Sequence, residues 1–213
     1  MNAQPRYFIK FKQGNLAYVR ARLLKDRSCE QFAMLLGKTR RINGSTIITV
    51  IDLLFLEPDD YHQQSVAFLR IKKEFIHQAL VEVTGRYDVD TIIDVHTHPF
   101  TRTSVSFSAT DDQDEKTFFR FLKETFAQVH YASIVFSQRQ YSARVWTVRD
   151  RSIVARRALI KTQTSPENIT SADFSGNTDE GYERTALLDG EVFFNRSTLV
   201  EKLCKGVRHV RWS

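Results

Sequence analysis

Hydrophobic and polar positions along this chain repeat with two periods. Alternation, or a short apolar run bounded by turn residues, marks strands with a buried face. Such segments fall at 6–11, 32–36, 46–56, 91–97, 133–136 and 142–148. Recurrence every three or four residues marks helices. Leu16, Val19, Leu23 and Leu24 stripe residues 15–26. Ile71, Phe75, Ala79, Leu80 and Val83 stripe residues 69–84. Phe118, Phe121, Leu122 and Phe126 turn inward from a helix over 109–127. Between these elements Gly14-Asn15 predicts a turn and helix start, and Asn43-Gly44 a tight hairpin. Pro58-Asp59-Asp60 stops a strand, residues 59–67 read as a polar loop, and Gly85 as a helix stop. Strands interleaved with helices predict an α/β fold, a mixed β-sheet flanked by helices.

The strand at 91–97 carries the chemistry. It ends Asp94-Val95-His96-Thr97-His98-Pro99. Side chains two apart share a face, so His96 and His98 project together. Pro99 has no N–H for a ladder and ends the strand. Ser108-Ala109-Thr110-Asp111 then opens the third helix. Two imidazoles and a carboxylate are the three protein ligands of a catalytic zinc site, whose fourth position is left to water. Ser108 with Asp111 also reads as a helix capping box. Asp111, Asp112, Asp114 and Glu115 suit the positive end of the helix dipole. His62, His77, His130 and His209 carry no ligand spacing. Glu30 opens the apolar run into Met34-Leu35-Leu36-Gly37. A carboxylate there is either solvated at the strand end or placed to move the proton of an activated water.

Taken in order, Glu30 ahead of Met34-Leu35-Leu36-Gly37, then His96-Thr97-His98-Pro99, then Ser108-Ala109-Thr110-Asp111, resembles the signature of the JAMM (MPN+, Mov34-type) zinc metalloproteases, Glu…His-x-His-Pro…Ser-x-x-Asp. The resemblance spans residues 6–150. It implies the JAMM/MPN fold, a cytidine-deaminase-like sandwich. It implies that His96, His98 and Asp111 hold Zn²⁺, that Glu30 is the general acid/base, and that Ser108 stabilises the oxyanion. It further implies an isopeptidase or peptidase acting at the C-terminal tail of a ubiquitin-like protein, the tail lying as an extended strand against a sheet edge. The compact chain is similar to the prokaryotic, deubiquitinase-like branch, whose members often accompany activating and conjugating enzymes. Two other functions stay open: a zinc amidohydrolase on a small or sulfur-carrier substrate, and a non-catalytic MPN interaction module. The chain departs from the family pattern in two places. Residues 100–107 make the loop between Pro99 and Ser108 longer than usual, and Ala33 stands where many members have Gly.

Composition sets the outer bounds. The 213 residues suit one domain at 1–150 and a C-terminal extension at 151–213. In that extension 151–161 is basic and partly apolar, a last strand or helix. Residues 162–181 read as a polar linker and 187–210 as a docking helix. A hydrophobic content of 42% with 16 Phe is ample for a core. No apolar run approaches the roughly 20 residues that span a bilayer, and the N-terminus lacks a signal peptide's apolar region. A cytoplasmic protein is expected, with Cys29 and Cys204 as thiols. The net charge of +6 and pI near 9.4 permit nucleic-acid binding. The Lys and Arg residues are dispersed, however, and no nucleic-acid motif accompanies them. An acidic protein partner or a solvated surface suits them as well.

Overall fold

The computed structural model describes residues 6–65, 69–101 and 104–163. The expected linker beyond residue 163, the docking helix at 187–210, Cys204 and His209 lie outside the described residues. In chain order the elements are β1 (Tyr7–Phe11), α1 (Asn15–Leu23), β2 (Phe32–Ile42), β3 (Ser45–Phe55), β4 (Tyr61–Gln64), β5 (Leu69–Ile71), α2 (Lys73–Gly85), β6 (Thr91–Thr97), α3 (Ala109–Thr125), β7 (His130–Phe136), β8 (Tyr141–Arg149) and β9 (Ser152–Thr162). A single 3₁₀ turn, Pro58–Asp60, precedes β4.

The sheet closes on itself in the order β1-β3-β2-β6-β7-β8-β9. This corrects the expected sandwich: the protein is mixed α/β, but its main sheet is a seven-stranded barrel. The reason is β9. Its sequence left strand and helix both open, yet it pairs antiparallel with β8 and parallel with β1, joining the two ends of the sheet. Every strand of the barrel gives alternate residues to one inner cluster. These include Ile9 and Phe11, Ala33 and Leu35, Ile48 and Val50, Ile93 and Val95, Ile134, Val145 and Ala158. Helix α1 adds Val19 and Leu23 to that cluster.

The other face of β2, β6, β7 and β8 turns outward and is covered by α2 and α3. Met34, Leu36, Ile92, Tyr131 and Trp146 pack there against Phe75, Ala79, Val83, Phe119 and Leu122. Asn43 and Gly44 both have positive φ, the paired left-handed geometry of a tight hairpin. Local expectations divide. Residues 61–64 and 69–71, read as loop and helix start, form the small antiparallel pair β4–β5. Gly85 is the last residue of α2, so the helix stops where expected. On α3 the deepest aromatic is Phe119, whereas Phe118, Phe121 and Phe126 pack at the margin.

Candidate metal centre

The geometry of β6 sets the centre. Ile93 and Val95 point into the barrel, so Ile92, Asp94 and His96 point out, under α3. His98 follows past the strand end, its backbone N–H donating to the Phe136 carbonyl at 2.8 Å. The two imidazole rings lie 5.1 Å apart. Helix α3 begins directly above them, and its third residue, Asp111, reaches both. Asp111 Oδ1 is 3.4 Å from His96 Nε2, and Oδ2 is 3.6 Å from His98 Nε2. Ligand atoms about 2.0–2.1 Å from a tetrahedral zinc stand about 3.3 Å apart. His96 Nε2 is buried and has no hydrogen-bond partner. An orphaned ring nitrogen facing a carboxylate and a second imidazole fits a divalent cation in both donor chemistry and spacing.

The capping reading of Ser108 and Asp111 holds alongside. Ser108 Oγ accepts from the Asp111 N–H at 3.1 Å, and Asp111 Oδ2 accepts from the Ser108 N–H at 2.6 Å. Capping uses the Asp111 backbone and one carboxylate oxygen, which leaves Oδ1 directed at His96. The cap therefore aims the carboxylate.

Glu30 enters through strand register. β2 runs antiparallel to β6 with Phe32 opposite His96. Continuing that register two residues places Glu30 opposite His98, and Glu30 Oε1 lies 3.8 Å from His98 Nε2. Its backbone is held on both sides by the β4–β5 segment. The Glu30 N–H donates to the Ser65 carbonyl at 3.0 Å, and Gln64 Nε2 donates to the Glu30 carbonyl at 2.8 Å. Gln31 and Thr97 lock the neighbouring step through the Gln31 N–H to Thr97 Oγ1, at 2.9 Å, and the Thr97 N–H to the Gln31 carbonyl, at 3.0 Å.

Electrostatics divide the acids by role. Burial pushes the Glu30 carboxyl above its usual range, with the His96 charge opposing and Asp111 adding to the rise. Burial would raise Asp111 too, but the contact with His96 and the Ser108 hydrogen bonds outweigh it and hold it well below the usual range. Asp111 is thus a permanent anion and Glu30 a carboxylate suited to proton exchange. Burial would lower the proton affinity of His96; Asp111, then Asp94 and Glu115, reverse this and raise it. His98 is lowered by burial, then by the charge of His96.

Beneath the centre lies a polar layer that the sequence reading did not pick out. Asp94 and Glu115 are buried, and burial followed by the charge of Glu115 pushes the Asp94 carboxyl well up. Tyr131 donates its hydroxyl to Asp94 Oδ2. Glu115 Oε2 accepts from Ser133 Oγ, from Arg144 Nε at 2.8 Å and from Trp146 Nε1 at 2.7 Å. Arg144 also pairs with Asp112. The signals were faint: Asp94 shares the His96 face by the two-residue period, and Glu115 shares the Asp111 face at i+4. The long loop ends on Phe107, whose ring lies 6.0 Å from the His96 ring and 3.7 Å from the Arg144 guanidinium. Among the described residues, His62, His77 and His130 belong to neither cluster of ligand-type side chains.

No family model matches the chain, and no curated protein matches it. Among solved structures, one similar chain is protein DSY2949 from Desulfitobacterium hafniense. The two are 14% identical with a TM-score of 0.44, the match covering 73% of this chain and 94% of that one. Likeness at that level carries no argument about fold or function. The class that fold and site define is therefore broad: a mixed α/β barrel with a candidate divalent-cation centre on its outer face.

Proposed function

We propose that the chain is a zinc-dependent isopeptidase or peptidase of the JAMM/MPN+ type, acting at the C-terminal tail of a ubiquitin-like protein. One observation carries the reading: His96, His98 and Asp111 converge at ligand spacing while the Glu30 carboxylate lies beside His98. Zinc bound by His96, His98 and Asp111 supplies Lewis acidity toward a water and the scissile carbonyl. Glu30 takes the water proton and passes it to the leaving amine, work that its upward-shifted proton affinity favours. Ser108 Oγ accepts from the Asp111 N–H and keeps its own hydrogen, free for the carbonyl oxygen as negative charge develops.

The closed barrel changes how a substrate tail would bind. Its seven strands have no free edge, so backbone pairing with an extended tail falls to β4 or β5. That pair also holds the Glu30 backbone, which links tail docking to placement of the proton carrier. The test compares wild-type protein and Glu30→Gln for zinc content and for cleavage of a ubiquitin-like protein fused through its C-terminal Gly. Wild type is expected to hold one zinc per chain and cleave; Glu30→Gln is expected to keep the zinc and lose turnover. A wild-type protein that takes up no zinc, or a Glu30→Gln protein of full activity, overturns the proposal. Cleavage of small amides alone replaces the macromolecular substrate with a small one.

A further inference from the structure

We infer that Asp94 is a positioning residue of the centre, an outer carboxylate that fixes the His96 imidazole and tightens the hold on the cation. The inference rests on the metal-centre reading and deepens it. Asp94 stands two residues before His96 on β6, on the same outward face. Its Oδ2 is taken by the Tyr131 hydroxyl, but its Oδ1 is buried with no hydrogen-bond partner. Glu115 is similar: Oε2 accepts three donors and the buried Oε1 accepts none. Ligand-type atoms of Asp94, His96 and Glu115 all lie within 4.8 Å of one another.

A bare carboxylate oxygen inside an apolar wall is costly unless something comes to it. An imidazole that gives one nitrogen to a cation keeps its proton on the other, and that N–H needs an acceptor. Asp94 Oδ1 and Glu115 Oε1 are unpartnered buried acceptors, and both residues cluster with His96. Of the two, Glu115 is already paired with Arg144, whereas Asp94 is held by a neutral phenol. Asp94 is therefore the one of the two with no cation already on it. Phe107 walls the ring from the loop side, and Arg144 stacks on Phe107. Once that N–H turns to Asp94, a ring held by a carboxyl and flanked by an aromatic has little orientational freedom left to lose on binding.

The test measures zinc affinity by competition with a chromophoric chelator, zinc stoichiometry, and the thermal midpoint of the metal-free protein. It uses wild type, Asp94→Asn and Tyr131→Phe; the second variant deletes only the hydroxyl that holds Asp94. Asp94→Asn is expected to weaken zinc binding roughly 10- to 100-fold at one zinc per chain. Tyr131→Phe is expected to weaken it about tenfold, the lower reach of the same effect. A purely structural role would shift the metal-free midpoint and leave zinc affinity unchanged, and that result overturns the inference. So does a wild type with two zinc ions that falls to one in Asp94→Asn, because the same atoms would then be ligands of a second site. Wild type that binds no zinc brings down the centre itself; wild type that binds zinc no better than the variants brings down this inference alone. If Asp94→Asn does not fold, the Tyr131→Phe result decides.

Discussion

Replacing Asp111 by Asn separates its two roles. Asn keeps an oxygen for the Ser108 N–H, so the cap survives in outline. What is lost in the metal-free protein is a negative charge at the α3 N-terminus, up to about 2 kcal/mol in a partly buried setting, and its pairing with His96. The loss on the metal side is larger. Free zinc at about 100 times its dissociation constant stabilises wild type by about 2.7 kcal/mol. For a domain of this size that is roughly a 5–10 °C rise in melting temperature. If removing the anionic ligand weakens zinc about a hundredfold, the same zinc concentration stabilises the variant by only about 0.4 kcal/mol, a rise of roughly 1–2 °C. The assay is thermal unfolding with and without zinc, at fixed free metal. The expected result is a lower midpoint for the variant without zinc and, measured from that baseline, a collapsed zinc response. A variant that keeps the wild-type zinc response makes Asp111 a helix cap and nothing more, and the three-ligand centre fails with it.

Three further predictions follow from specific contacts. Ser108→Ala removes the acceptor for the Asp111 N–H and should cost about 1 kcal/mol of stability. It should also lower kcat about a hundredfold at unchanged zinc content; an unchanged kcat rejects the oxyanion role. Zinc affinity should fall with pH on the acid side, because protonated His96 cannot ligate and its proton affinity is raised above the ordinary value of 6.5. The fall begins at a higher pH than for an ordinary histidine and steepens toward about tenfold per pH unit below the His96 pKa. An isothermal titration series that is flat across neutral pH refutes it. Gly37→Ala should destabilise by about 1–2 kcal/mol in denaturant unfolding, overpacking outweighing the gain from a stiffer unfolded chain. Its new Cβ would meet Ile48 Cγ2 at 2.9 Å and the Thr49 carbonyl oxygen at 3.1 Å. A variant as stable as wild type shows that the strands part at little cost.

The elements were legible where periodicity was strong and neighbours agreed. The strand of the centre appears at the expected residues, and the Asn43-Gly44 turn adopts the backbone its residues favour. Barrel closure was not legible, because parallel pairing of β1 with β9 joins the two ends of the domain and leaves no local mark. The β4–β5 pair was missed because it is short and polar, Tyr61-His62-Gln63-Gln64 against Leu69-Arg70-Ile71, with few of the apolar positions that betray a strand. Glu115 looked like a dipole-matched acid at the start of a helix, and only its partners on β7 and β8 reveal it as buried. A local pattern reports which face a residue takes on its own element, not what the opposing element brings.

The same limit applies to the loop between Pro99 and Ser108. The separation of Pro99 and Ser108 in sequence says little about where Asp111 ends up, because α3 is anchored from its other side. Phe119 and Leu122 are buried against the outer face of the barrel, and Glu115 is tied to Ser133, Arg144 and Trp146. Those contacts fix the helix against β7 and β8, and the reciprocal cap fixes Asp111 relative to the helix. The loop then has only to bridge two positions already set, and loop closure becomes costlier only slowly with length. It ends by lodging Phe107 between Arg144 and His96. The loop walls the imidazole through Phe107, while the partners of that ring are placed by strand register on one side and helix packing on the other.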